Sequence, residues 1–140
     1  MWQGGVRNKI LIVENDVIAL WVYPDRKMVH HQMKTYCYGD TFRDMLTKGT
    51  DAMERYKATK WLSDDRGNGA LPPEDTDWAE KTWFPRTKAT GWQHWSVVKP
   101  EKVIGQMNLS RFVKKFAALG INARMFSDLD AAFMWLDAAG

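Results

Sequence analysis

The chain has one cysteine, Cys37, in 140 residues. No internal disulfide can form, and such sparse use of cysteine fits a reducing compartment. No apolar run approaches the roughly 20 residues that cross a bilayer. The opening MWQGGVRNK carries no apolar stretch of signal-peptide length, so we expect a cytoplasmic protein with no membrane span. Histidine is scarce too: His30, His31 and His94 stand in no HxxxH or CxxC-like spacing. Neighbours on a strand point to opposite faces, so His30 and His31 cannot both hold one metal ion. A Ser nucleophile elbow, a Walker loop and a GxGxxG turn are all missing, and Gly67-Asn68-Gly69 lacks the spacing of a phosphate loop. We therefore expect no metal, no cofactor and no catalytic residue. Positive charge is thinly spread: the net charge is +3 and only Lys114-Lys115 and Arg86-x-Lys88 are dense. That excludes the basic stripe of a nucleic-acid binder.

What the chain does have is apolar mass in periodic runs. Hydrophobic residues make up 45% and charged residues 26%, the balance of a globular chain of single-domain length. Eight tryptophans exceed ordinary packing needs, so they either fill a broad helix–sheet core or mark a partner surface. Met1 to Asn8 reads as a frayed end. Lys9–Val13, Val17–Tyr23 and Lys27–Lys34 are strand-length runs joined by turns too short for parallel crossovers, hence an antiparallel meander. From Asp40 the period becomes helical: Phe42, Met45, Leu46, Gly49 and Met53 form one stripe that ends near Tyr56, with Asp40 or Thr41 as N-cap.

The organising stretch is Ala58–Pro85. A strand at Lys60–Ser63 runs into Asp64 and Asp65, and a Gly/Pro loop leads to a helix that starts after Pro73 and is broken or ended by Pro85. The next strand is His94–Val98. A helix opened by Pro100 and Glu101 reaches Leu119 with Gly120 behind it, a strand spans Ile121–Phe126, and Ser127-x-x-Asp130 resembles a capping box for a last helix. Alternating strands and helices demand parallel βαβ units with right-handed crossovers. The expected fold is therefore a single α/β domain over residues 1–140. Its mixed sheet begins with antiparallel strands, and helices cover both faces.

One motif misleads. ILIVEND from Ile10 to Asp16 resembles the first strand of a response-regulator receiver, and Val98-Lys99-Pro100 its closing Lys-Pro. A receiver needs a helix after the first acids, where this chain has VIALWVYP, and it needs more than one βαβ unit between Asp64 and Lys99. The receiver reading fails on order. Asp64, Arg66 and Lys99 still lie at the carboxyl ends of two predicted parallel strands, where ligands of open α/β sheets collect. They form a candidate ligand-binding set, or else Asp64 and Arg66 simply tie down the loop.

The segments WLSD (Trp61–Asp64), LPPEDTDW (Leu71–Trp78), WFPR (Trp83–Arg86), WSVV (Trp95–Val98) and MFSDLDAAFMWL (Met125–Leu136) carry a family likeness. On them the chain resembles small bacterial proteins of the STAS-like fold, the fold of anti-sigma-factor antagonists, shared in outline with Sec14-type domains. The resemblance implies a sheet flanked by helices and a role in protein–protein regulation. Regulatory members of that fold keep a phosphorylatable Ser in an Asp-Ser-Ser-Gly-like turn. The matching turn here, DDRGNGALPPED from Asp64 to Asp75, has neither Ser nor Thr. Two functional readings stand. One is a non-enzymatic regulatory domain that binds another protein. The other is a small polar-ligand binder or enzyme using Asp64, Arg66 and Lys99. The apolar hairpin Val17–Met33 further predicts a homodimer, built on that hairpin or on the helix of Trp78 and Trp83.

Overall fold

The computed structural model describes residues 8–140, so the expected frayed end lies almost wholly outside the described residues. Three short strands come first: β1 (Ile10–Glu14), β2 (Ile18–Tyr23) and β3 (Met28–Met33). They pair antiparallel as predicted, with a bulge between Leu11 and Val13 in β1. Helix α1 (Gly39–Tyr56) then crosses to β4 (Lys60–Asp64), which pairs parallel with β3. A second crossover consists of α2 (Pro73–Trp78), a π-helical turn (Ala79–Trp83) and α3 (Phe84–Ala89), and it delivers β5 (His94–Val98). Helix α4 (Val103–Ala118) leads to β6 (Asn122–Phe126), and α5 (Leu129–Ala138) closes the chain. The result is a six-stranded mixed sheet in the order β1-β2-β3-β4-β5-β6. The expected α/β class is the observed one.

Each parallel crossover moves one strand in the same direction, so crossovers of one hand stack α1, the α2–α3 run and α4 on one face. The apolar stripe read from the sequence, Phe42, Met45, Leu46, Gly49 and Met53, is the buried side of α1. A large core forms there with Trp61, Trp83, Trp92, Trp95 and Phe116. Among the described residues the opposite face receives only α5, whose Ala132, Phe133 and Leu136 pack on Tyr23, Met28, Leu62 and Val98. Helices do cover both faces, but in a ratio set by the monotonic strand order.

Three local expectations change. Pro85 does not end its helix. It has no N–H to give, so the preceding turn widens to π and the backbone of Phe84 reaches back to the carbonyl of Ala79. Helix α1 is not capped by Asp40 or Thr41. Its first N–H, that of Gly39, donates to Asp75 Oδ2 at 2.7 Å, and Asp75 also holds Arg43 Nε at 3.1 Å. A carboxylate from α2, 1% exposed, thus caps a helix 36 residues earlier. Helix α5 is capped by Asp128, whose Oδ2 accepts from the N–H of Ala131 at 2.8 Å, and not by Ser127. Gly120, with φ +107°, follows α4 as the glycine the sequence predicts. No helix among the described residues is long and apolar enough to cross a membrane.

Candidate functional site

Strand alternation sorts the polar residues of β3 and β4 between the two faces. In parallel register His31 pairs with Ser63 and Gln32 with Asp64. Trp61, Ser63 and Asp65 therefore turn toward α1 and α4, while Leu62 and Asp64 turn toward α5. The adjacent acids Asp64 and Asp65 do not act as a pair; the sheet stands between their side chains.

On the α5 side Asp64 is fully engaged. Arg66 grips it with two parallel bonds, Nε to Oδ1 and Nη2 to Oδ2, both 2.8 Å. That bond to Asp64 also raises the Arg66 pKa. Lys99 follows β5, where its backbone N–H donates to Phe126 O at 2.9 Å. The candidate set Asp64, Arg66 and Lys99 thus contains one closed ion pair and a lysine at the end of the next strand. None of the three lines the cavity described below. The strand order explains this. Ligand crevices open where successive crossovers leave a sheet in opposite directions, and β3-β4-β5-β6 has no such reversal.

On the other side lies a cavity of about 40 Å³, bounded by the sheet, α1, the π turn and α4. Phe42, Leu46, Trp83, Leu109, Phe112 and Phe116 supply most of its wall, and Ser63, Asp65, Asn68 and His31 the polar end. The π turn matters here, because Ala79 and Trp83 both line the space. Polar atoms around the cavity are tightly ordered. Trp95 Nε1 donates to Ser63 Oγ at 2.8 Å, and Trp83 Nε1 to the carbonyl of Leu46 at 3.2 Å. His31 bridges two partners: Trp61 Nε1–H lies 2.9 Å from Nδ1, and Asp65 Oδ1 lies 2.7 Å from Nε2. An indole N–H can only donate, so Nδ1 supplies a lone pair and the ring proton sits on Nε2. His31 is held as the neutral Nε2–H tautomer with both nitrogens occupied, which leaves no nitrogen to serve as a base.

The neighbouring groups are equally settled. Burial pushes the Cys37 thiol up to about 12, helped by Asp65 and Asp75. Burial also pulls His30, on the α5 face, down to about 3 against the opposing pull of Asp64. Among the described residues no three His, Cys, Asp or Glu side chains gather as a metal site.

Outside the cavity, the carboxyl edge of the sheet presents an apolar rim. Val103, Ile104 and Met107, in the first turns of α4, are 69%, 67% and 59% exposed. Ile104 and Met107 share a surface depression with Ala70, Leu71 and Pro73. Tyr36 and Tyr38 extend the rim as a stacked, exposed pair, and Tyr36 OH donates to Ala70 O at 2.8 Å. The helical spacing of Leu109, Phe112, Val113 and Phe116 predicts the buried face of α4 but gives no reason to single out its exposed apolar one. The cavity residues His31, Ser63, Asp65 and Asn68 were equally invisible as a group, because only the parallel register of β3 and β4 sets His31 beside Ser63. Compared with protein-family models, curated proteins and solved structures, the chain matches none.

Proposed function

We propose that the chain is a non-enzymatic regulatory domain of the STAS-like type, working in the cytoplasm, that binds another protein through the rim at its carboxyl edge. The observation that carries this reading is the exposure of Val103, Ile104 and Met107 side by side on α4. Contiguous apolar surface bordered by polar groups is the usual mark of an interaction site. Lys99, Lys102 and Arg111 flank the rim, and none has a carboxylate within ion-pair reach among the described residues. The partner that fits is therefore an acidic protein presenting an apolar anchor. A second copy of this chain would bring the same basic border to the rim. The Val17–Met33 hairpin expected to carry a homodimer is not an edge, because β2 and β3 are interior strands with mostly buried side chains; a homodimer would instead use the β1 edge with its exposed Ile10 and Leu11. The helical run is a poor candidate for it, since Trp83 is buried and Trp78 packs on Phe42. The turn from Asp64 to Asp75 offers no hydroxyl to a kinase, so regulation would come from partner availability.

Ile104→Asp and Met107→Asp test the reading. A partner captured from extract by the wild type, identified and purified, should bind the wild type with 1:1 mass in light scattering and lose at least tenfold affinity to either variant. Equal binding by both variants, or self-association in place of a hetero-complex, would overturn it.

A further inference from the structure

The polar end of the cavity holds a carboxylate, Asp65, that no Lys or Arg among the described residues pairs with. Asp65 has a side chain 9% exposed, and its one side-chain partner among the described residues is His31 at Oδ1. Because Trp61 fixes His31 as the neutral Nε2–H tautomer, the His31–Asp65 pair carries the full carboxylate charge. Oδ2 takes no donor among the described residues. Two other groups at this end have spare capacity. Asn68 Oδ1 accepts from the N–H of Cys37 at 2.8 Å, which orients the amide and leaves Nδ2 unassigned. Ser63 Oγ accepts from Trp95 and retains a second lone pair.

We propose that this cavity binds a small primary amine, with its ammonium on Asp65 Oδ2 and its short apolar body against Leu46, Leu109 and Phe112. An ammonium is the head group that answers the two spare acceptors, Asp65 Oδ2 and Ser63 Oγ, while the Asn68 Nδ2 donor plays no part in holding it. It makes a charge-assisted bond to Oδ2, and a second N–H reaches toward Ser63 Oγ. Trp83 and Trp95 also line the space, and an indole ring attracts a cation more than a neutral donor. A carboxylate ligand would meet Asp65 with like charge. An alcohol would bring no positive charge to the carboxylate and so would make only the weaker, neutral hydrogen bond. Size follows from the walls. A cavity of about 40 Å³ has room for roughly three waters, hence for an amine of about three to five heavy atoms. The cover is close: a Cβ on Gly105 would stand 3.0 Å from Pro100 Cβ and 3.3 Å from the carbonyl carbon of Gly69. Helix α4 and the loop before α2 touch there through glycine, which excludes a long ligand tail.

Isobutylamine, isobutanol and isobutyrate share one shape and differ in head group, so they separate the possibilities. Binding is followed by tryptophan fluorescence and calorimetry at neutral pH in moderate salt. The expected result is saturable binding of isobutylamine, at least tenfold weaker binding of isobutanol and none of isobutyrate. Asp65→Asn keeps an oxygen for His31 Nε2–H and should still lower amine affinity at least tenfold. Ala79→Val, at another residue lining the cavity, should block binding with Asp65 intact and guards against a folding defect in the first variant. Ile104→Asp should leave amine binding unchanged, which keeps this test separate from the rim. Isobutanol binding as tightly as the amine, undiminished binding by Asp65→Asn and Ala79→Val, or no saturable amine binding would each overturn the proposal.

Discussion

Gly49→Ala should destabilise this protein, although the same change in the middle of an exposed helix stabilises by about 1 kcal/mol. Gly49 lies on the buried face of α1, directly over the indole of Trp61. A Cβ there would stand 2.8 Å from Trp61 Cζ2 and nearer still to Cη2. The ring has nowhere to go. Trp61 is 1% exposed, its N–H is bonded to His31, and it meets the Trp83 ring edge-on at 5.3 Å. Overpacking of a filled core costs about 1–3 kcal/mol, and a contact this short belongs at the upper end. After the helical gain is subtracted, a net loss of about 1–2 kcal/mol remains. With a urea m-value of about 2 kcal/mol/M, the midpoint should fall by about 0.5–1 M. Adding Trp61→Phe removes the clashing outer atoms, so the double-mutant cycle should show favourable coupling of about 1–3 kcal/mol. The same displacement of Trp61 would free His31 Nδ1 and weaken the amine site. A Gly49→Ala midpoint equal to or above wild type would refute the packing argument.

Other expectations follow from burial. Leu136 and Phe116, 0% and 1% exposed on opposite faces of the sheet, should each lose about 2–5 kcal/mol on truncation to Ala; unchanged urea midpoints would contradict the assigned faces. Cys37 is fully buried and its thiol is raised to about 12, so a thiol reagent should label it only at the rate of global unfolding, and fast labelling of the native protein would count against this. His30 supplies a pH dependence. Its folded pKa, about 3, lies below its unfolded value near 6.5, so the unfolded chain takes up a proton first as pH falls. Its contribution is fully present above 6.5 and is lost between 6.5 and about 3, a span worth on the order of several kcal/mol. Denaturation midpoints across that range should slope for the wild type and flatten for His30→Asn, and parallel slopes would remove His30 as the cause.

The likeness of α1 in sequence and structure shows how much a period can carry. Phe42, Met45, Leu46 and Met53 recur at helical spacing because one helix face must be dry, and that requirement is local. The meander is legible for a similar reason: turns of two or three residues leave adjacent strands no choice but to run antiparallel. Loop length and hydrophobic period therefore determined the element order, the mixed sheet and the buried faces.

Caps and sites were decided by the tertiary structure. Asp75 caps α1 from across the domain, and no spacing rule links residues 36 apart. Pro85 reads as a stop, yet neighbouring rings hold Trp83 and Phe84 in the core and the helix widens to pass it. Asp64 and Asp65 read as one acidic pair, but a pleated strand sends one to Arg66 and the other to His31. Four core tryptophans come from separate places, Trp61 from β4, Trp83 from the π turn, Trp92 from the loop before β5 and Trp95 from β5, so their convergence exists only after folding. The sequence determined which faces are apolar, because periodicity is a property of neighbours along the chain. The fold decided which polar atoms meet inside them, because a hydrogen bond such as His31–Asp65 depends on the register of strands that the chain brings together from a distance.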